Sequence, residues 1–260
     1  MSAATNSGLT CTKVSISVPG RMLVENLDLE IHAGEVLAVL GPNGVGKSLT
    51  LHTLAGLIAA DSGATMLNGR PVTELSRQQV ATRIALLPQY VEDVFPASVF
   101  DTVMIGRHPH IPRLQWETER DRNIAKESLR LVDLGDMPQR DIATLSGGER
   151  RRLAIAQVLT QSPAIYLLDE PTNHLDPQHQ LDVLRIFRDK ADSGAAVVAS
   201  LHDVNLAARF ADKCLLLYGD GRWELDKTNA VLTEQRLTEL YATTMETVAW
   251  GDTNLFIAAG

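Results

Sequence analysis

The segment Gly41-Pro42-Asn43-Gly44-Val45-Gly46-Lys47-Ser48 constrains this chain more than any other. It fits the pattern G-x-x-x-x-G-K-[ST], and its context supports the match. Before it, Glu35–Leu40 is a nearly continuous apolar run, the mark of a strand buried on both faces. After it, a helical pattern runs from Lys47 to about Ile58. Glycines let the backbone wrap closely around phosphate oxygens. The helix that follows adds the partial positive charge of its N-terminus. Lys47 is expected to reach the β- and γ-phosphates of a nucleoside triphosphate, and Ser48 to ligate Mg²⁺.

Such a loop belongs to an α/β fold, and the remaining pattern agrees. Val14–Val18 and Leu23–Ile31 read as strands joined by the turn Pro19-Gly20. From Phe100 to Gln161 apolar residues recur at helical spacing, and Glu117–Arg130 within it reads as a solvated helix face. Strand-like runs return at Ala164–Leu168, Ala195–Ser200 and Cys214–Tyr218, separated by the helical segments Pro177–Ala191 and Val204–Ala211. Alternating strands and helices imply a parallel sheet, here with a helical block inserted between its halves and a small mixed α/β tail from Gly219.

The run Ile165–Leu168 ends in Asp169-Glu170. Ligands of open parallel sheets bind beyond the carboxyl ends of the strands, which brings both carboxylates toward the phosphate loop. Asp169 is expected to hold Mg²⁺ through its water shell, and Glu170 to polarise the attacking water.

Four further segments carry a family resemblance. Leu145-Ser146-Gly147-Gly148-Glu149 resembles the ABC signature motif. Pro88-Gln89, after Ile84–Leu87, resembles the Q-loop. Asn173-His174-Leu175-Asp176 resembles the D-loop, and Ser200-Leu201-His202-Asp203 the H-loop. They occur in the family's order and span nearly the whole chain. The resemblance implies a P-loop NTPase of the ABC ATPase type, with a RecA-like parallel-sheet core, an N-terminal antiparallel β subdomain and an inserted helical subdomain. It divides residues 1–260, a single ABC ATPase domain, into a nucleotide-binding core at 1–89 and 162–218, a helical signature subdomain at 90–161 and the tail at 219–260.

It also implies ATP and Mg²⁺, with two ATP molecules sandwiched between two copies of the chain. Gly41 to Ser48 and Leu49 would hold the phosphates. Ser146, Gly147, Gly148 and Glu149 would face the γ-phosphate bound to the other copy; Ser146-Gly147-Gly148 opens a predicted helix, itself an anion-binding end. His202 would contact γ-phosphate and water, Asp176 would link the two sites, and Gln89 would sense Mg²⁺ and water. Lys47, Gln89, Glu170 and His202 form the implied catalytic set.

Two positions depart from the family pattern. Val18 stands where an aromatic residue usually stacks on adenine. Leu49 stands where a threonine usually follows the Mg²⁺-binding serine, with Thr50 next, so a hydroxyl contact to the α-phosphate is missing. Phe95-Pro96-Ala97-Ser98-Val99 and Val103–His110 resemble the import ATPases for iron–siderophore, haem and cobalamin. That likeness implies a permease gripping the Gln89–His110 region and an indirect link to a periplasmic or surface binding protein. A soluble ABC-type ATPase with no membrane partner, such as an iron–sulfur assembly scaffold, is the alternative. His108 and His110 read as loop residues rather than metal ligands.

Composition narrows the setting. A net charge of −8 over 260 residues argues against nucleic-acid binding. Arg150, Arg151 and Arg152 fan around a helix rather than forming one basic face, and read as structural or interface charges. Cys11 and Cys214 are expected to be free thiols. Met1–Cys11 lacks a signal-peptide pattern and no apolar run reaches the ~18 residues of a membrane span. Those features lead to an expected cytosolic setting, and the resemblance to import ATPases implies a peripheral place on the cytoplasmic face of the membrane.

Overall fold

The computed structural model describes residues 8–90, 96–112, 114–250 and 253–259. Phe95, part of the importer-like segment, lies outside them. The N-terminal region carries β1 (Leu9–Val18), β2 (Arg21–Ile31) and β3 (Val36–Leu40), then α1 (Lys47–Leu54), β4 (Ser62–Leu67), β5 (Arg70–Pro71), α2 (Arg77–Ala81) and β6 (Ile84–Leu87). The helical block holds α3 (Val99–Met104), α4 (Glu119–Leu131) and α5 (Gly147–Gln161). The second half of the core follows as β7 (Ile165–Asp169), α6 (Pro177–Asp192), β8 (Ala196–Ser200), α7 (Val204–Phe210) and β9 (Lys213–Leu217). The tail comprises β10 (Trp223–Lys227), α8 (Thr228–Val231), α9 (Glu234–Tyr241), β11 (Met245–Trp250) and β12 (Thr253–Ala258).

The main sheet runs β10-β9-β3-β8-β7-β6 and is parallel except for β10, which pairs antiparallel with β9. Every residue of β3, β7 and β8 is buried, as continuous apolar runs covered on both faces require. Successive side chains point to opposite faces of a strand. Val36, Ala38 and Leu40 of β3 therefore join one core with α3–α6, while Leu37 and Val39 join a second core with β1, β2 and α1. The second core is roofed by the antiparallel sheet β2-β1-β4-β5, in which Leu9 pairs with Ile31 and Leu67.

Two expectations need correction. The first helix ends at Leu54 rather than Ile58: Gly56 takes a φ of +67° just beyond the cap, a conformation that stops a helix. The charged stretch at 117–130 is not wholly solvated. Asp121 and Arg107 are buried and paired at 2.8 Å, with Asp121 closing a capping box on Thr118. Within the tail, β10 supplies an edge strand of the main sheet. Among the described residues no helix is long and apolar enough to cross a membrane.

Candidate functional site

The loop between β3 and α1 sets the floor of the site. Gly44 and Gly46 have φ of +76° and +109°, open to glycine at little cost. A Cβ on Gly46 would also press Leu23 at 3.2 Å. Helix α1 starts at Lys47 with no side-chain cap and no acidic residue in its first turn. Its leading N–H groups therefore have neither a capping oxygen nor a carboxylate to answer them, the electrostatic setting for a bound anion. Lys47 Nζ donates to the carbonyls of Gly41 at 2.8 Å and Pro42 at 3.0 Å. Burial pulls its pKa below the ordinary lysine value, and the Glu170 and Asp169 charges oppose that fall.

A cavity of about 440 Å³ opens above this loop. Its walls include Asn43, Gly44, Gly46, Lys47, Ser48 and Leu49 from the loop, and Gln89, Glu170 and His202 from the ends of β6, β7 and β8. Val18, at the end of β1, lines it too. Val45 instead turns into the second core, beneath Gly219. Thr50 does not substitute for the absent threonine: its hydroxyl donates to Gly46 O inside the helix at 2.9 Å.

Glu170 is the most constrained residue here. It is 6% exposed and has a φ of +49°, a left-handed conformation costly for a residue with a Cβ. Both of its backbone groups are engaged. Its N–H donates to Ser200 Oγ at 2.8 Å, and its carbonyl accepts from Arg151 Nη2 at 2.8 Å. Its carboxylate is ringed: Gln89 Nε2 donates to Oε2 at 2.8 Å, Asn173 Nδ2 donates to the same oxygen, and His202 Nε2 lies 2.6 Å from Oε1. Asp169, 1% exposed, accepts from Ser200 Oγ at 2.6 Å.

The signature segment and Asp176 are not among the residues lining this cavity. Ser146 caps α5 through a reciprocal pair with Glu149, and Arg140 Nη1 donates to Glu149 at 2.9 Å. Gly147 faces open space, since a Cβ there would meet nothing within 4 Å. Asp176 caps α6, and bonds from the His179 backbone and ring hold its carboxyl below the usual range. His110 donates from Nε2 to Gln161 O at 2.8 Å, and Arg107 bonds Thr160 O at 3.1 Å, so the 105–110 turn hangs on the end of α5.

Sequence reasoning missed Arg21, Asn173 and Ser200. Arg21 lines the cavity and donates to Gly44 O of the phosphate loop. Asn173 and Ser200 lie inside segments already singled out, but only the fold reveals that their side chains reach Glu170 and Asp169.

Comparison with known proteins agrees with this geometry. A family model described as ABC transporter matches residues 24–173. The hemin import ATP-binding protein HmuV of Gloeobacter violaceus is 43% identical over 216 residues, covering 80% of this chain and 78% of that protein. The cobalamin import ATP-binding protein BtuD of Halobacterium salinarum is 38% identical over 215 residues, covering 82% of this chain and 53% of that protein. Among solved structures, an ABC transporter described as of metal-chelate type, in an inward-facing conformation, superposes with a TM-score of 0.84 at 27% identity, over 98% of both chains. A dimeric bacterial ABC transporter cassette superposes with a TM-score of 0.74 at 25% identity, over 85% of this chain and 98% of that one. With a family match over more than half of its length and the phosphate loop, acidic strand end and histidine gathered at one cavity, the chain belongs to the ABC transporter family, as one of its ATP-binding, ATP-hydrolysing subunits.

Proposed function

We propose that this chain powers a membrane importer for a metal chelate such as haem, cobalamin or an iron–siderophore, as a homodimer with two ATP molecules at its interface. The observation that carries the catalytic reading is the ringed carboxylate of Glu170, held by Gln89, Asn173 and His202 above the phosphate loop. The substrate class is supported by the printed functions of relatives similar over most of this chain.

In this reading Lys47 leaves the carbonyls of Gly41 and Pro42 to meet the β- and γ-phosphates. Gly41, Pro42, Asn43, Gly44, Val45, Gly46, Ser48 and Leu49 complete the cradle, with Val18 at its edge. Ser48, Gln89 and Asp169 supply a hydroxyl, an amide carbonyl and a carboxylate, hard oxygen donors suited to Mg²⁺. Bound there, Mg²⁺ would neutralise charge on the phosphates. Glu170 orients the attacking water and accepts its proton, and His202 steadies the γ-phosphate side. Ser146, Gly147, Gly148 and Glu149 complete the site of the second copy, and Asp176 links the two. The core at 1–89 and 162–218 holds nucleotide, the 90–161 block transmits its state, and 219–260 packs beside the core. Residues 89–110 would receive a cytoplasmic helix of the permease, placing the chain peripherally at the cytoplasmic face. A periplasmic or surface binding protein would act on the far side, without touching this chain.

Glu170→Gln keeps the shape and removes the base. Hydrolysis is expected to fall by about 10²-fold or more while ATP still binds. A variant hydrolysing at the wild-type rate would sink the assignment. Gentle solubilisation of native membranes should recover a polytopic permease in equal amount; recovery only with soluble proteins would overturn the importer reading.

A further inference from the structure

Arg150, Arg151 and Arg152 follow one another on α5, yet their side chains go to different places. Arg150 bonds the carbonyls of Leu145 and Ala143, and Arg152 those of Val132 and Asp133, all within the helical block. Arg151 crosses to the core. It is 6% exposed, and its guanidinium meets five backbone carbonyls. Nη1 donates to Pro88 O at 2.7 Å and Gln89 O at 3.3 Å. Nη2 donates to Asp169 O at 2.6 Å and Glu170 O at 2.8 Å, and Nε to Pro171 O at 3.4 Å. A guanidinium has five N–H donors in a rigid plane, so its full capacity is spent on these five oxygens. Burial lowers its pKa to about 10, opposed by the Asp169 and Glu170 charges, so it stays charged at neutral pH.

We infer that Arg151 is a positioning residue for ATP hydrolysis, which locks the segments carrying Gln89 and Glu170 to each other and to helix α5. It rests on the reading of Glu170 and Gln89 given above. One of the five carbonyls belongs to Glu170 itself, whose left-handed φ needs outside support. The far end of α5 is tied as well. Gln161 Nε2 donates to Ala81 O at 2.6 Å and Ile84 O at 2.8 Å, so α5 is fastened beside both ends of β6. The 105–110 turn bonds Thr160 and Gln161 at that same end. A displacement of the turn therefore reaches the catalytic loops through one helix and one guanidinium. Gly106 removes slack from this linkage, since a Cβ there would sit 2.3 Å from Gln157 O.

The test uses the full chain with MgATP, measuring kcat, KM, nucleotide-binding stoichiometry and melting temperature for Arg151→Gln and Arg151→Lys. Displacing the catalytic loops by a fraction of an ångström to an ångström should lower kcat by about 10- to 100-fold. KM and binding stoichiometry should hold, because the phosphate loop makes no contact with this guanidinium. Arg151→Lys keeps the charge but donates from a single nitrogen, so its kcat should fall between wild type and Arg151→Gln. Wild-type kcat in Arg151→Gln overturns the inference. So does a loss explained wholly by fewer nucleotide-binding molecules, the signature of a merely structural role. If Arg151→Gln does not fold, Arg151→Lys decides: reduced kcat at unchanged KM supports the inference, and wild-type kcat overturns it. Glu170→Gln runs alongside. Full activity in that variant fails the underlying site reading, whereas an inactive Glu170→Gln beside a fully active Arg151→Gln fails this inference alone.

Discussion

Ser200→Ala probes how the acidic strand end is held. Ser200 closes β8 at 0% exposure, and its one hydroxyl serves two neighbours. It donates to Asp169 Oδ1 at 2.6 Å and accepts from Glu170 N at 2.8 Å. Alanine removes the oxygen with little change of volume, so cavity formation adds little. Two losses remain: a charge-assisted hydrogen bond to a buried carboxylate, and a buried N–H left without its acceptor. Each is worth about 1–3 kcal/mol, and because both arise from one atom they are not fully additive. We expect a destabilisation of about 3 kcal/mol. That is a large share of a typical folding stability of about 5–15 kcal/mol, and leaves the variant folded. The assay is urea unfolding without nucleotide, comparing midpoints at an unchanged slope. A shift below about 0.5 kcal/mol, the scale of an ordinary surface substitution, would refute the reasoning, because the hydroxyl would then hold neither group.

Two further outcomes follow from the geometry. Hydrogen bonds from Thr118, with Arg107 beside it, hold the Asp121 carboxyl down at about 2. Its contribution is therefore complete above the ordinary carboxylate range near pH 4 and is lost as pH falls toward 2. The stability gap between wild type and Asp121→Asn should close by about 2 kcal/mol between pH 4 and pH 2; a gap that stays constant in urea titrations would count against this. Arg21→Ala removes the guanidinium that donates to Gly44 O at the cavity wall. Titration with a fluorescent ATP analogue should show binding weakened about threefold to tenfold, the loss of roughly one hydrogen bond; unchanged affinity would show that Arg21 does not shape the phosphate loop.

The parts of the site legible in sequence are those that short stretches of chain determine. The phosphate loop needs glycines at fixed spacing between a strand and a helix, and Asp169-Glu170 follows a buried strand whose end faces that loop. Both can be seen without knowing what lies across the fold. Asn173, Ser200 and Arg21 have no such local mark; each matters for an atom that reaches over from another segment. The three consecutive arginines show the same limit. Their fanning around α5 was readable, whereas which of them would find the ends of β6 and β7 was set by how the helix packs. In the fold, β4 carried little signal because its first three residues are exposed and it has no apolar alternation. Asp121 looked like a solvent charge because a member of a buried ion pair reads as one more polar residue until its partner, here Arg107, is placed.

Among the described residues, the short strand β6 ends the main sheet, with nothing beyond it in the strand order. Arg83 O turns inward to Ile165 N, so the next carbonyl, that of Ile84, faces outward. An unpaired outer edge is a template on which a stray strand can grow, and sheets so exposed tend toward clumping. Here the outward oxygen of Ile84 is already taken by the Gln161 amide, and that of Pro88 by Arg151. Three residues of edge, Ala85 to Leu87, remain between these occupied acceptors, overhung by a helix. The side chains that fasten α5 to the core thus also keep the sheet from recruiting strands of other molecules, which favours solubility at the crowded concentrations of a cell.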